Sequence, residues 1–80
     1  MPGKDSHAYR IVIWFTLNPE VEMSARDFAS KFCAEQESMY RALVALERRG
    51  YLLSRLVPKE GQPPHVEFRP GPRFIEELER

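Results

Sequence analysis

The sequence predicts an α+β domain, mainly helical, with a three-helix body, a β-hairpin after it and a short final helix. Three observations carry that prediction. Between Ser24 and Tyr51 a capping signal, two apolar stripes at helical spacing and a terminating Gly50 outline two helices joined by a tight turn, a helix-turn-helix. After Gly50 the apolar period shortens to the alternation of strands, as in His65-Val66-Glu67-Phe68-Arg69. Proline punctuates the rest: Pro19 closes the first element, and Pro70-Gly71-Pro72 opens the last.

Taken in order, residues 1–6 read as a flexible tail. Asp5 or Ser6 can cap a helix over 7–18, which Asn18-Pro19 ends. Its apolar residues Tyr9, Ile11, Val12, Ile13, Trp14, Phe15 and Leu17 wrap almost all round instead of forming one stripe. Either this helix lies centrally beneath the other two, or a second chain covers part of it. Eighty residues are too few to cover a helix on every side, so a homodimer with Trp14 and Ile13 at its interface is favoured. Strand propensity at Ile11 to Phe15 competes with the helix, but the capping signal argues against it. A connector follows, with a short extended piece at Glu22-Met23.

The second helix, 24–33, has Ser24 as its cap with Asp27 three residues on, a capping box. Phe28, Ala29 and Phe32 share one face. After a break at Cys33-Ala34, the third helix spans 36–49, and its Met39, Leu43 and Leu46 recur at four and three, the stripe that must face a core. The opposite stripe is Glu37, Arg41, Val44 and Arg48. Gly50 is the kind of residue that stops a helix. A hairpin over 51–69 is then read as two strands, Tyr51 to Val57 and His65 to Arg69, around a proline-rich loop from Pro58 to Pro64, longer than a two-residue turn. The last helix, 72–80, carries Phe74, Ile75 and Leu78. It is too short to stand alone, so Phe74 and Leu78 are assigned with the first helix to the dimer interface.

Composition sets the outer bounds. The chain is one domain of 80 residues with 42% hydrophobic content, too apolar for disorder. At this size folding buries only about 60% of the extended-chain surface. The longest unbroken apolar run, Ile11 to Phe15, is far short of the ~20 residues that span a bilayer, and no secretory segment is apparent, so a cytoplasmic protein is expected. One cysteine excludes an internal disulfide framework. Cys33 is read as a small packed residue in preference to a redox sensor. Two distant histidines and one thiol give a metal little to hold, and no cofactor is expected. No acid–base pair, nucleophile or Gly-rich phosphate loop stands out, so no enzyme is expected.

Twelve basic and twelve acidic residues cancel. Their distribution does not. Residues 38–75 hold Arg41, Arg48, Arg49, Arg55, Lys59, Arg69 and Arg73 against Glu47, Glu60 and Glu67, and a nearby phosphate feels that local excess.

A helix, a helix-turn-helix and then a hairpin is the order of a winged helix-turn-helix domain. The stretches Ser24-Ala25-Arg26-Asp27-Phe28-Ala29-Ser30-Lys31-Phe32 and Tyr40-Arg41-Ala42-Leu43, with Leu46-Glu47-Arg48-Arg49-Gly50-Tyr51-Leu52, resemble bacterial regulators of the MarR and PadR sort. The resemblance covers about residues 9–69 and implies a transcriptional regulator that reads double-stranded DNA. Carried over by position, Gln36, Glu37, Ser38, Tyr40 and Arg41 would stand near base edges or phosphates on the recognition helix. Ser24 and Arg26 would face the DNA backbone, and Arg55, Lys59 and Gln62 would sit on the wing. On this reading of the charges, Arg48, with Arg41, Arg55 and Lys59, is expected on phosphates. The sequence departs from the pattern at Cys33, where the family usually has Gly, at Ala34, and at Glu35-Gln36-Glu37, where capping and basic groups are usual. Carboxylates there suit the helix dipole and repel a phosphate. The alternative is therefore a winged helix module that binds another protein through its acidic helix start and apolar first helix.

Overall fold

The computed structural model describes residues 6–78, without the side chains of Ile75, Glu77 and Leu78. The expected tail apart from Ser6, Asp5 as an alternative cap and the last two residues of the final helix lie outside the described residues.

Helix ends follow the chemistry of their caps. The Ser6 hydroxyl accepts from the Tyr9 N–H at 3.1 Å and opens α1 (His7–Leu17). Asn18 ends it, donating from both its backbone N–H and its side-chain amide to the Trp14 carbonyl. At the start of α2 (Ala25–Phe32) the capping box is reciprocal: Ser24 Oγ accepts from the Asp27 N–H at 3.1 Å, and the Asp27 carboxylate accepts from the Ser24 N–H at 3.2 Å. Cys33 then turns the chain in the left-handed region, at φ 52°, where a β-carbon costs roughly 1–2 kcal/mol. The longest helix, α3 (Gln36–Arg48), ends in a Schellman motif. Gly50 takes φ +84° while the Tyr51 N–H reaches the Leu46 carbonyl and the Gly50 N–H the Glu47 carbonyl.

These three helices enclose one core. Ile11, Phe15, Phe28, Met39 and Leu43 are fully buried, with Leu46 nearly so, and the rings of Phe15 and Phe28 meet edge to face at 5.4 Å. Only part of α1 is covered: Ile13 is 43% and Leu17 74% exposed.

A three-stranded antiparallel sheet closes the core. Its order is β1 (Met23–Ser24), β3 (Gln62–Pro70), β2 (Leu52–Lys59). The extended piece expected at Glu22-Met23 thus lies one residue on and supplies a third strand, pairing Met23 with Phe68. Leu52, Phe68 and Pro70 are buried toward the helices; by alternation Leu53, Arg55, Glu67 and Arg69 project from the other face.

The hairpin departs from its sequence reading. In place of a long loop from Pro58 to Pro64, the strands continue to Lys59 and from Gln62, leaving Glu60-Gly61 as the turn. The prolines are accommodated because the register slips between Val57 paired with His65 and Lys59 paired with Gln62. Pro58 faces Pro63-Pro64 at that irregularity, where the regular ladder is already interrupted.

The last helix, α4 (Pro72–Leu78), also corrects an expectation. Phe74 is 4% exposed and packs edge to face on Phe15 at 6.5 Å. It belongs to the core of its own chain, not to a dimer interface. Between β3 and α4, Gly71 passes so close to the base of the hairpin that a β-carbon would stand 3.0 Å from the Gly50 carbonyl oxygen. Its N–H donates to the Tyr51 carbonyl at 2.7 Å. Helices, strand order and hairpin together make this a winged helix-turn-helix fold, with β2 and β3 as the wing.

Candidate nucleic-acid interface

The uncovered side of α3 follows from its core side. With Met39, Leu43 and Leu46 turned inward, Glu37, Arg41 and Arg48 are turned outward and exposed, while Val44, expected on the same stripe, is partly buried against the core. Gln36 is exposed at the first turn. Glu37 and Arg41 pair one turn apart at 2.6 Å. Ser38 donates to Glu35 at 3.3 Å, within the acidic start of the helix. Tyr40 leans from the flank toward the wing, its ring 6.3 Å from that of Phe68.

The remaining site candidates divide. Arg26 is exposed in the first turn of α2. Lys59 and Gln62 face each other at the wing tip, where Gln62 Oε1 lies 3.4 Å from His65 Nε2. Ser24 does not join them. It is 8% exposed, and its hydroxyl is the α2 cap, which corrects its assignment to a DNA backbone. Arg55 lies on the sheet face away from α3, bonded through Nε and Nη2 to both carboxylate oxygens of Glu22 at 2.7 Å. That hydrogen bond, with the charge of the guanidinium, holds the Glu22 carboxyl below its usual range and raises Arg55 above its own.

These pairings thin the basic excess of residues 38–75. Arg41 answers Glu37, Arg55 answers Glu22, and Arg73 donates to the Arg49 carbonyl at 3.1 Å, where a cation suits the end of α3. Arg48, Arg49, Lys59 and Arg69 are exposed without an ion-pair partner among the described residues. Glu22, Glu47 and Ser54 were not singled out in the sequence. Ser54 Oγ donates to the Glu47 carboxylate of α3, and no local spacing reveals a contact between Glu22 and Arg55, 33 residues apart.

On α1, Ile13 is exposed while Trp14 is half-buried under the Lys31 ammonium, 4.1 Å from its ring centroid. Leu78 at the expected dimer interface is outside the described side chains. Among the described residues no helix is long and apolar enough to cross a membrane, and no group of three His, Cys, Asp or Glu is placed to hold a metal ion.

The geometry defines a winged helix-turn-helix domain whose third helix exposes its charged outer side. No family model matches the sequence, and no curated protein matches it. Among solved structures, one from Methanosarcina mazei Go1, described as a "possible transcriptional regulator", shares the fold with a TM-score of 0.76 at 10% identity. The match covers 89% of this chain and 60% of that one. This chain therefore spans less than two thirds of its neighbour's length.

Proposed function

We propose that this chain is the DNA-binding part of a transcriptional regulator, resembling the MarR and PadR sort and acting in the cytoplasm. The observation that carries the reading is the outer side of α3, where Glu37, Arg41 and Arg48 are exposed and Val44 between them is partly buried against the core. A helix so presented fits the major groove, while Lys59 and Gln62 on the wing tip reach the backbone. A homodimer through the exposed part of α1, Ile13 with Leu17, would place two such helices on one duplex; a solution mass equal to one chain argues against it.

The test is a polarisation titration with random-sequence duplex DNA at low and moderate salt. Affinity falls steeply with salt, and Arg48→Ala or Lys59→Ala each lowers the log–log slope by about 0.9. Binding that ignores salt, or no binding, overturns the reading. A second reading, a protein-binding module, is favoured by one observation: Leu56, on the face of the wing toward α3, is 66% exposed. In that case neither substitution alters partner binding, and duplex DNA is not retained.

A further inference from the structure

Ser54 and Arg55 are consecutive on β2, so their side chains leave opposite faces of the sheet. Each ends on a carboxylate outside the wing. Ser54 reaches Glu47 of α3 on the helical face. Arg55, on the other face, reaches across β3 to Glu22, the residue before β1, with a two-pronged contact at 2.7 Å. Past this pair the hairpin leaves the body within a residue or two: Leu56 is largely exposed, Val66 opposite it is only partly buried, and residues 58–64 are all exposed. The two contacts stand near the end of the stretch where the arm is tied down, one pair short of Val66, whose side chain still packs on the core.

We infer that Ser54 and Arg55 are positioning residues that clamp the wing from both faces and fix its tip at a set angle to α3 before a partner arrives. Arg55 is thereby a latch and not a phosphate contact. The inference rests on the DNA-binding reading only for the partner's identity. Holding the arm ready lowers the ordering cost of association, and a latch adds no charge to the contact itself.

The test uses the full chain with Glu22→Gln, Arg55→Gln and the double variant, read in two ways. Residue-resolved amide exchange is expected to quicken a few-fold at Leu56, Val57 and Val66 in either single variant, with no change at Phe28 or Leu43. The double variant adds nothing further, because both substitutions remove one interaction. In the duplex titration both single variants weaken binding by the same factor and leave the salt slope unchanged. Unchanged wing exchange overturns the clamp. So does a tighter complex in Glu22→Gln with a slope lowered by about 0.9 in Arg55→Gln, which is the signature of an arginine on a phosphate. If no form of the chain retains DNA, the DNA reading fails while the exchange data still decide the clamp.

Discussion

Phe28 and Leu56 sit in two regimes of the same small fold. Phe28, on α2, has no exposed surface and lies between the rings of Phe15 and Phe32. Leu56, on the wing, keeps two thirds of its surface in water. The body is held by burial, which is cooperative and indifferent to which polar groups surround it. The wing is held by a hydrogen-bond ladder and by side chains at its base. A change in one region is therefore readable apart from the other.

The sharpest break of this contrast is Phe28→Ala. Loss of a buried ring costs about 3–5 kcal/mol, close to the whole stability of a small domain. Urea denaturation is expected to show the folded baseline shrinking or gone, whereas Leu56→Ala changes the unfolding free energy by less than about 0.5 kcal/mol. Equal effects would mean that the wing shares the core.

Smaller, and on the body alone, is Ser24→Ala. Removing the cap costs about 1 kcal/mol and lowers the melting midpoint by about 4–8 °C. Duplex affinity of the folded variant is expected to stay at the parent value, since the hydroxyl is turned into α2; a drop would return Ser24 to the DNA surface.

Smaller again is Cys33→Gly. Relief of the left-handed strain at φ 52° outweighs the added freedom of the unfolded glycine, giving up to about 1 kcal/mol of stabilisation by denaturant titration. Cys33→Ala keeps the strain and shows no such gain.

The mildest effect is confined to the wing and set by pH. The folded Glu22 carboxyl titrates below its ordinary 4.5. The contribution of its pair with Arg55 is therefore complete above that value and is lost as pH falls through the lower folded one. Wing amide exchange, corrected for intrinsic rate, is expected to be flat from about pH 7 to 5 and to rise below 4.5, with Arg69 and Glu67 flanking the pair on the same face. Body amides over that upper range stay unchanged.

Much of the body was legible because its signals are local. A hydroxyl three residues before an N–H, as at Ser6 and Ser24, and a stripe at three and four, as in Met39, Leu43 and Leu46, act within one or two turns. The wing was less so. Pro63 and Pro64 read as loop because a proline gives no N–H to a ladder, and nothing local shows that Pro58 would stand opposite them at a register slip. Arg55 counted as a free cation for the same reason, its carboxylate lying 33 residues away. Phe74 reads as outward because its helix is too short to hold itself, and nothing local shows that the Phe15 ring is its partner. The charged members of the outward stripe of α3, Glu37, Arg41 and Arg48, needed no distant information, because fixing the inner side fixes the outer one; Val44, at the edge of that stripe, packs partly on the core.

Gly50 and Gly71 nearly touch, which makes the hairpin a cassette hung from a single doorway. The body closes at that doorway whatever hangs there. Paired residues inserted on either side of the Glu60-Gly61 turn extend the reach by about 3.4 Å per pair, so the span between helix and fingertip can be retuned without rebuilding the house behind it.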